Sequence, residues 1–283
     1  MKTHDARIKE TPFFFELGDE KLFGFLHQPA TSAIGAIVMC HAFAEEKLWS
    51  HRVYVTFARE MASQGYGVLR FDMRGEGDSA REFEETSVET RVEDTLRAID
   101  IAREKIGHHR VVLVGHRLGG SIAAAAAARD PGRVASVVVW DPIVDGADYF
   151  STLLRSNMAT QMATTGKVTR TRDALVESIV QGEIIVADGY GLGAALYREM
   201  SALQWSTRAD FFQRPLLVLE VAKVNQTEAS RHLQDIASAH HQVRIELASE
   251  PPFWRETRQF HRRASSFTAH TLSWLQATQA VAA

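Results

Sequence analysis

The chain has 283 residues, 45% of them hydrophobic and 24% charged, so it can bury a sizeable core and does not belong to the disordered class. Its formal net charge of −3 gives no electrostatic ground for expecting nucleic acid or an anionic membrane as partner. A lone cysteine, Cys40, excludes an internal disulfide framework and a Cys-rich zinc site and suits a reducing compartment; twelve histidines invite a search for metal or acid–base chemistry.

The first fifteen residues lack the apolar stretch of a signal peptide, and no apolar run reaches membrane-spanning length, so a soluble, cytoplasmic protein is expected. Short apolar or alternating runs come first, at 13–17, 21–26 and 34–40, with Gly18-Asp19 as a hairpin signal between the first two. Helix and strand then alternate. Tyr54, Phe57, Ala58 and Met61 recur at helical spacing and Gly65 stops them; Gly67 to Phe71 reads as a buried strand. Val92, Leu96, Ile99 and Ile106 mark an amphipathic helix capped by Ser87 and closed by Gly107. Val111 to Val114, a small-residue helix from Leu118 to Arg129, and Val134 to Trp140 follow. Strands apolar throughout, separated by single helices, imply a parallel sheet covered on both faces.

The alternation breaks between Asp145 and Asp210, where two or three helices and a short strand at 183–187 are expected. It resumes with a strand at 215–221, a helix near 228–239, a strand at 243–247 and a final helix at about 260–275. The pattern predicts one doubly wound domain over 1–283, with an eight-stranded, mostly parallel sheet and a helical lid inserted at about 145–210.

The most informative segment is Gly115-His116-Arg117-Leu118-Gly119, which follows a strand and runs straight into a helix. Gly-x-Z-x-Gly in that context is a nucleophile elbow, where residue Z stands exposed at a helix N-terminus. Arginine at Z cannot be a nucleophile, since its guanidinium stays protonated. Ser121, one turn further on the same face, is the one neighbour that could substitute, but it is set back from the elbow without its strained geometry and reads rather as a small residue where helix meets sheet. Where an acid would follow the strand at 215–221 the chain reads Ala222-Lys223-Val224-Asn225, and where a base would follow the last strand it reads Pro251-Pro252-Phe253-Trp254.

The elbow and the order of elements resemble the α/β-hydrolase superfamily over nearly the whole chain. Several blocks resemble one family within it, the exosortase A system-associated hydrolase 2 family. They are Ala42-Phe43-Ala44-Glu45-Glu46, Asp72 through Ser79, the arginine-bearing elbow, the Gly182-Glu183 to Gly189-Tyr190 segment, and Pro251-Pro252-Phe253-Trp254. His41 and His116 depart from that family's pattern. The resemblance implies an α/β-hydrolase fold and a bacterial protein tied to exopolysaccharide production and exosortase sorting. Fold alone does not settle its chemistry.

On such a fold the motifs converge at the C-terminal edge of the sheet. The candidates for chemistry are Arg117, Glu45, Glu46 and Asp141. The candidate pocket adds His41, Phe43, Asp72, His116, Leu118, Glu220, Phe253 and Trp254. Arg117 has two readings: an internal ion pair with Glu45, Glu46 or Asp141, or a guanidinium fork offered to an anionic ligand. Glu45 or Glu46 could activate water if burial raised its pKa; the plainer role is to cap the following helix or pair with Arg117. Asp72 is expected to anchor the turn that follows it, and Trp254 to pack or to stack on a ligand. The adjacent pairs His108-His109 and His240-His241 point apart and should be solvated, so no metal and no cofactor is expected. Arg255, Arg258, Arg262 and Arg263 read as one face of the last helix. Two functions are compatible with these residues. One is an atypical hydrolase or acyl-transfer enzyme that uses pocket carboxylates and water. The other is a silent relative that binds an acyl or anionic small molecule, or a partner protein, through the same pocket.

Overall fold

The computed structural model describes residues 8–255 and 260–282, the side chains of 279–282 excepted. The chain opens with a hairpin, β1 (Ile8–Leu17) and β2 (Glu20–Pro29), turning at Gly18. Then come β3 (Gly35–Cys40), α1 (Glu45–Ser63), β4 (Tyr66–Phe71), α2 (Val88–Ile106), β5 (Val111–His116), α3 (Leu118–Arg129) and β6 (Val134–Trp140). Ser87 caps α2 by accepting the Thr90 N–H, and Gly107 ends it in the left-handed conformation.

Between β6 and β9 (Leu216–Val221) the chain builds α4 (Gly146–Thr165), α5 (Arg172–Val180), a small hairpin of β7 (Ile185–Ala187) and β8 (Tyr190–Leu192), and α6 (Ala194–Ser201). Two 3₁₀ turns, at Trp205–Thr207 and Ala209–Phe212, lead back to the sheet. The last elements are α7 (Arg231–Ala239), β10 (Val243–Ala248) and α8 (Ser265–Ala282). α8 begins five residues later than the apolar periodicity suggests, so Arg255, Arg262 and Arg263 precede it instead of forming its face; Arg258 lies outside the described residues.

The main sheet has eight described strands in the order β1-β2-β4-β3-β5-β6-β9-β10. β1–β2 and β2–β4 pair antiparallel and the remaining neighbours pair parallel. Both faces are covered. α2 and α3 close one with Ile99, Ala102 and Ala123, while α1 and α8 close the other with Tyr54, Phe57 and Phe267. Among the described residues no helix is long and apolar enough to cross a membrane.

One junction positions everything that follows. β5 passes into α3 through Arg117, whose backbone sits at φ 54°, ψ −122°, a region L-residues rarely occupy. Small residues flank it of necessity. A Cβ on Gly115 would overlap the Gly119 carbonyl, and one on Gly119 would overlap the carbonyls of Cys40 and His41 at the end of β3. The elbow is therefore locked between β3 and α3 by backbone-to-backbone contact. Gly119→Ala is expected to lower stability in urea unfolding by about 3 kcal/mol, the upper range for overpacking. Gly132→Ala, where the nearest neighbour of a Cβ is 3.6 Å away, is the control and should change it by less than about 1 kcal/mol.

Candidate functional site

Three turns with positive φ meet at the C-terminal edge of the sheet: Ala44 (51°) after β3, Arg117 (54°) after β5 and Asp141 (44°) after β6. Each turns the chain sharply as a strand ends, and together they place Glu46, Arg117 and Asp141 side by side. The Arg117 Nε donates to Glu46 Oε1 at 3.2 Å, and its Nη1 donates to Asp141 Oδ2 at 2.8 Å and to the Asp141 carbonyl at 3.2 Å. Asp141 is itself held by the Val221 N–H at 3.2 Å.

The inserted segment completes the clamp. Tyr149 on α4 donates its hydroxyl to Glu46 Oε2 at 3.0 Å, and the guanidinium lies over the rings of Trp254 (5.2 Å) and Tyr149 (5.9 Å). Both Glu46 oxygens and the Nε and Nη1 groups of the guanidinium are thus engaged by protein. Burial pushes the Glu46 carboxyl above its usual range, against the opposing pull of Arg117 and Tyr149. Arg117 is raised: its two carboxylates outweigh the cost of burial.

This constellation forms one wall of a cavity of about 690 Å³ between the sheet edge and α4 with the β7–β8 hairpin. Phe43, Trp49, Tyr149, Tyr190 and Trp254 supply aromatic walls. The lining acids Glu45, Glu46, Asp145, Asp148 and Asp188 outnumber the arginines 117, 155 and 255. Glu45 lines the cavity as the first residue of α1 and makes no ion pair with Arg117 among the described residues; Glu46 and Asp141 are its partners.

Several residues expected in the pocket lie elsewhere. His116 is 1% exposed beneath the elbow, with Nδ1 2.7 Å from the Tyr54 hydroxyl and its ring stacked on Phe253 at 5.0 Å. Strand alternation sends it to the core when Arg117 faces out. His41 stacks on Tyr54 on the same side, and Leu118 and Phe253 are core residues. Asp72 holds Lys47 at 2.7 Å, while its carbonyl accepts the Ser79 hydroxyl and its carboxylate rests against Gly77. Glu220 accepts the Ser230 N–H at the start of α7. Ser121 is fully buried, donating to the Ile143 carbonyl at 2.6 Å and accepting from the Trp205 indole at 2.9 Å.

Cys40 is equally inert: burial pushes its thiol up to about 12. His240 packs on Phe212 at 4.3 Å and His108 meets the Ala33 carbonyl at 2.9 Å, so neither is simply solvated. No cluster of three His, Cys, Asp or Glu suited to a metal occurs among the described residues. Tyr149, Trp49 and Tyr190 were not legible as site residues; the one local signal was Asp145, which caps α4 by accepting the Asp148 N–H and so fixes where Tyr149 faces.

A family model described as serine aminopeptidase, S33 (Hydrolase_4) matches residues 31–220. The chain is similar to the quorum-quenching protein AidA of Acinetobacter baumannii, 34% identical over 157 residues, covering 54% of this chain and 49% of that protein. It is also similar to a monoacylglycerol lipase of Mycolicibacterium smegmatis, 28% identical over 142 residues, covering 50% of this chain and 49% of the lipase. The matches thus span about half the length of these curated relatives. Among solved structures, ferulic acid-bound Est1E from Butyrivibrio proteoclasticus superposes with a TM-score of 0.66 at 14% identity, covering 95% of this chain and 99% of that one, a likeness of fold.

Arg117→Met should destabilise the protein by about 3 kcal/mol in urea, because it strands two partly buried carboxylates. In a Glu46→Gln/Asp141→Asn background the same change should cost less than about 1 kcal/mol. The loss in Arg117→Met should also shrink as pH falls. Burial already raises the Glu46 carboxyl, and without Arg117 its folded-state pKa lies further above the unfolded one, so the folded form takes up that proton first and gains stability as pH falls through that range.

Proposed function

The chain belongs to the Hydrolase_4 family, described as serine aminopeptidase, S33, with the α/β-hydrolase fold and kinship to esterases and lipases; from that premise we propose that it is a ligand-binding relative in which serine-type hydrolysis has been replaced by recognition. The observation that carries this reading is the closed clamp on Arg117. The elbow still presents its residue, but that residue is a guanidinium neutralised by Glu46 and Asp141. Ser121 is sealed by Ile143 and Trp205, and the loop after β10 supplies Phe253 and Trp254 where a base would stand.

The cavity favours an uncharged or cationic small molecule with an apolar body. An anion would meet an arginine already neutralised by two carboxylates and a lining rich in acids. Acylated or aromatic compounds suit the aromatic walls. The sequence blocks shared with the exosortase-associated family support a bacterial setting in exopolysaccharide metabolism, with an acylated intermediate of that chemistry as ligand.

One observation favours a second reading, water activation by a carboxylate. Glu46 is raised by burial, as a general acid or base would be. Both its oxygens already accept hydrogen bonds, however, so it would have to release Arg117 or Tyr149 to reach a water.

Two measurements separate the readings. A fluorophosphonate probe should label neither the wild type nor Arg117→Ser, since no histidine base faces the elbow among the described residues. Stoichiometric labelling of the wild type would overturn the proposal. Across a panel of esters, thioesters and lactones, turnover should stay at buffer background, while members that bind raise the melting temperature and lose affinity at least tenfold in Trp254→Ala. Turnover abolished by Glu46→Gln would establish the carboxylate mechanism instead.

A further inference from the structure

A second polar cluster lies between α1 and the β1–β2–β4 side of the sheet, and it shares no lining residue with the cavity at Arg117. Arg70, on β4, is 8% exposed, with its guanidinium 5.3 Å above the Phe25 ring. Its side chain makes one hydrogen bond among the described residues, from Nε to His27 Nε2 at 3.0 Å. That acceptor is a neutral imidazole nitrogen, so the bond returns no charge to the arginine.

The nearby acids are already taken. Glu10 is held by both Arg59 nitrogens at 2.8 Å and lies 2.8 Å from His27 Nδ1, and Asp72 holds Lys47. Their pull on Arg70 is weaker than the cost of its burial, which brings the guanidinium down to about 10.

Beside Arg70 stand two histidines. His41 is 6% exposed, and neither ring nitrogen has a partner among the described residues. His51 is exposed on α1. Burial, Lys47 and Arg70 all push both imidazoles toward the neutral form. Arg70, His41 and His51 line one cavity of about 320 Å³ walled by Phe23, Phe25 and Phe71.

A guanidinium only 8% exposed, whose one side-chain hydrogen bond goes to an imidazole and which lines a cavity, has N–H groups left to offer an acceptor from outside. We propose that this cavity binds a small oxyanion, a phosphate or a carboxylate, gripped by the Arg70 fork and by a donor from His51. A planar or tetrahedral oxyanion accepts the paired N–H groups of a guanidinium. The 320 Å³ volume admits inorganic phosphate or a short-chain carboxylate with its apolar end against the phenylalanines. Binding here is independent of the reading of the Arg117 cavity.

The test is titration of inorganic phosphate, and separately of acetate, into the full chain at constant ionic strength. The readouts are the side-chain nitrogen resonances of His41 and His51 and the melting temperature. With one anion or both, the two histidine resonances should shift saturably and the melting temperature should rise; the anion that saturates identifies the ligand chemistry. The dissociation constant should weaken at least tenfold in Arg70→Lys, which keeps the charge but loses the fork, and should weaken also in His51→Ala, an exposed change that leaves the core intact. Histidine resonances that stay fixed with both anions, or shift linearly without saturation, would overturn the proposal. So would saturable binding that Arg70→Lys leaves unchanged.

Discussion

The pairing of Arg117 with Glu46 and Asp141 is the constraint around which the upper edge of the molecule is organised. A guanidinium at a strand-to-helix elbow sits where backbone N–H groups and the helix dipole already favour negative charge, so a cation there needs compensation from side chains. Two carboxylates supply it from different strand ends, at side-chain exposures of 17% and 21% against 12% for the arginine. The three groups stay wet enough to avoid the full penalty of burying ions and dry enough for geometry to matter.

That constraint reaches into the inserted segment. Tyr149 bonds the free oxygen of Glu46, so α4 is tied to the same ion pair that closes the elbow. Tyr149 also meets Phe43 edge-on, and Phe43 packs on Phe83, which packs on Tyr190 of the β7–β8 hairpin. The cavity walls therefore form one aromatic chain from the end of β3 to the hairpin. A change that loosens Arg117 acts on the position of α4 as well as on local charge. Movement of α4 in turn frees a Glu46 oxygen and brings that carboxylate closer to its unpaired state.

The sequence revealed the sheet and the elbow more readily than the side chains around them. Strands such as Val134 to Trp140 are apolar throughout because both faces are covered, and that burial is visible as composition. Gly115 and Gly119 were legible because no other residue fits backbone against backbone. Direction was harder to read. His41 and His116 belong to the right turns, yet each points to the α1 side of the sheet, toward Tyr54, as alternation along an extended chain requires. Choosing Glu46 over Glu45 as the partner of Arg117 needed the start of α1, since adjacent residues on a helix face about 100° apart. Tyr149 lay beyond sequence reasoning because its contact with Glu46 joins positions 103 residues apart.

The elbow's conformation costs something whether or not chemistry follows. Non-glycine residues at positive φ carry strain of about 1–3 kcal/mol each, and Ala44, Arg117 and Asp141 all adopt it around one point. In a serine hydrolase that strain lifts a nucleophile clear of the backbone toward the substrate. Here the same turn presents a guanidinium close enough to two acids to neutralise it and within reach of the Tyr149 and Trp254 rings. A residue serving only to plug an abandoned pocket would need no such presentation, because an apolar side chain in a relaxed turn would fill the space at lower cost. The retained geometry is accounted for if the Glu46–Arg117–Asp141 surface is itself what a ligand reads. It is a hydrogen-bonded floor beneath an aromatic cavity, with its charges balanced within the protein.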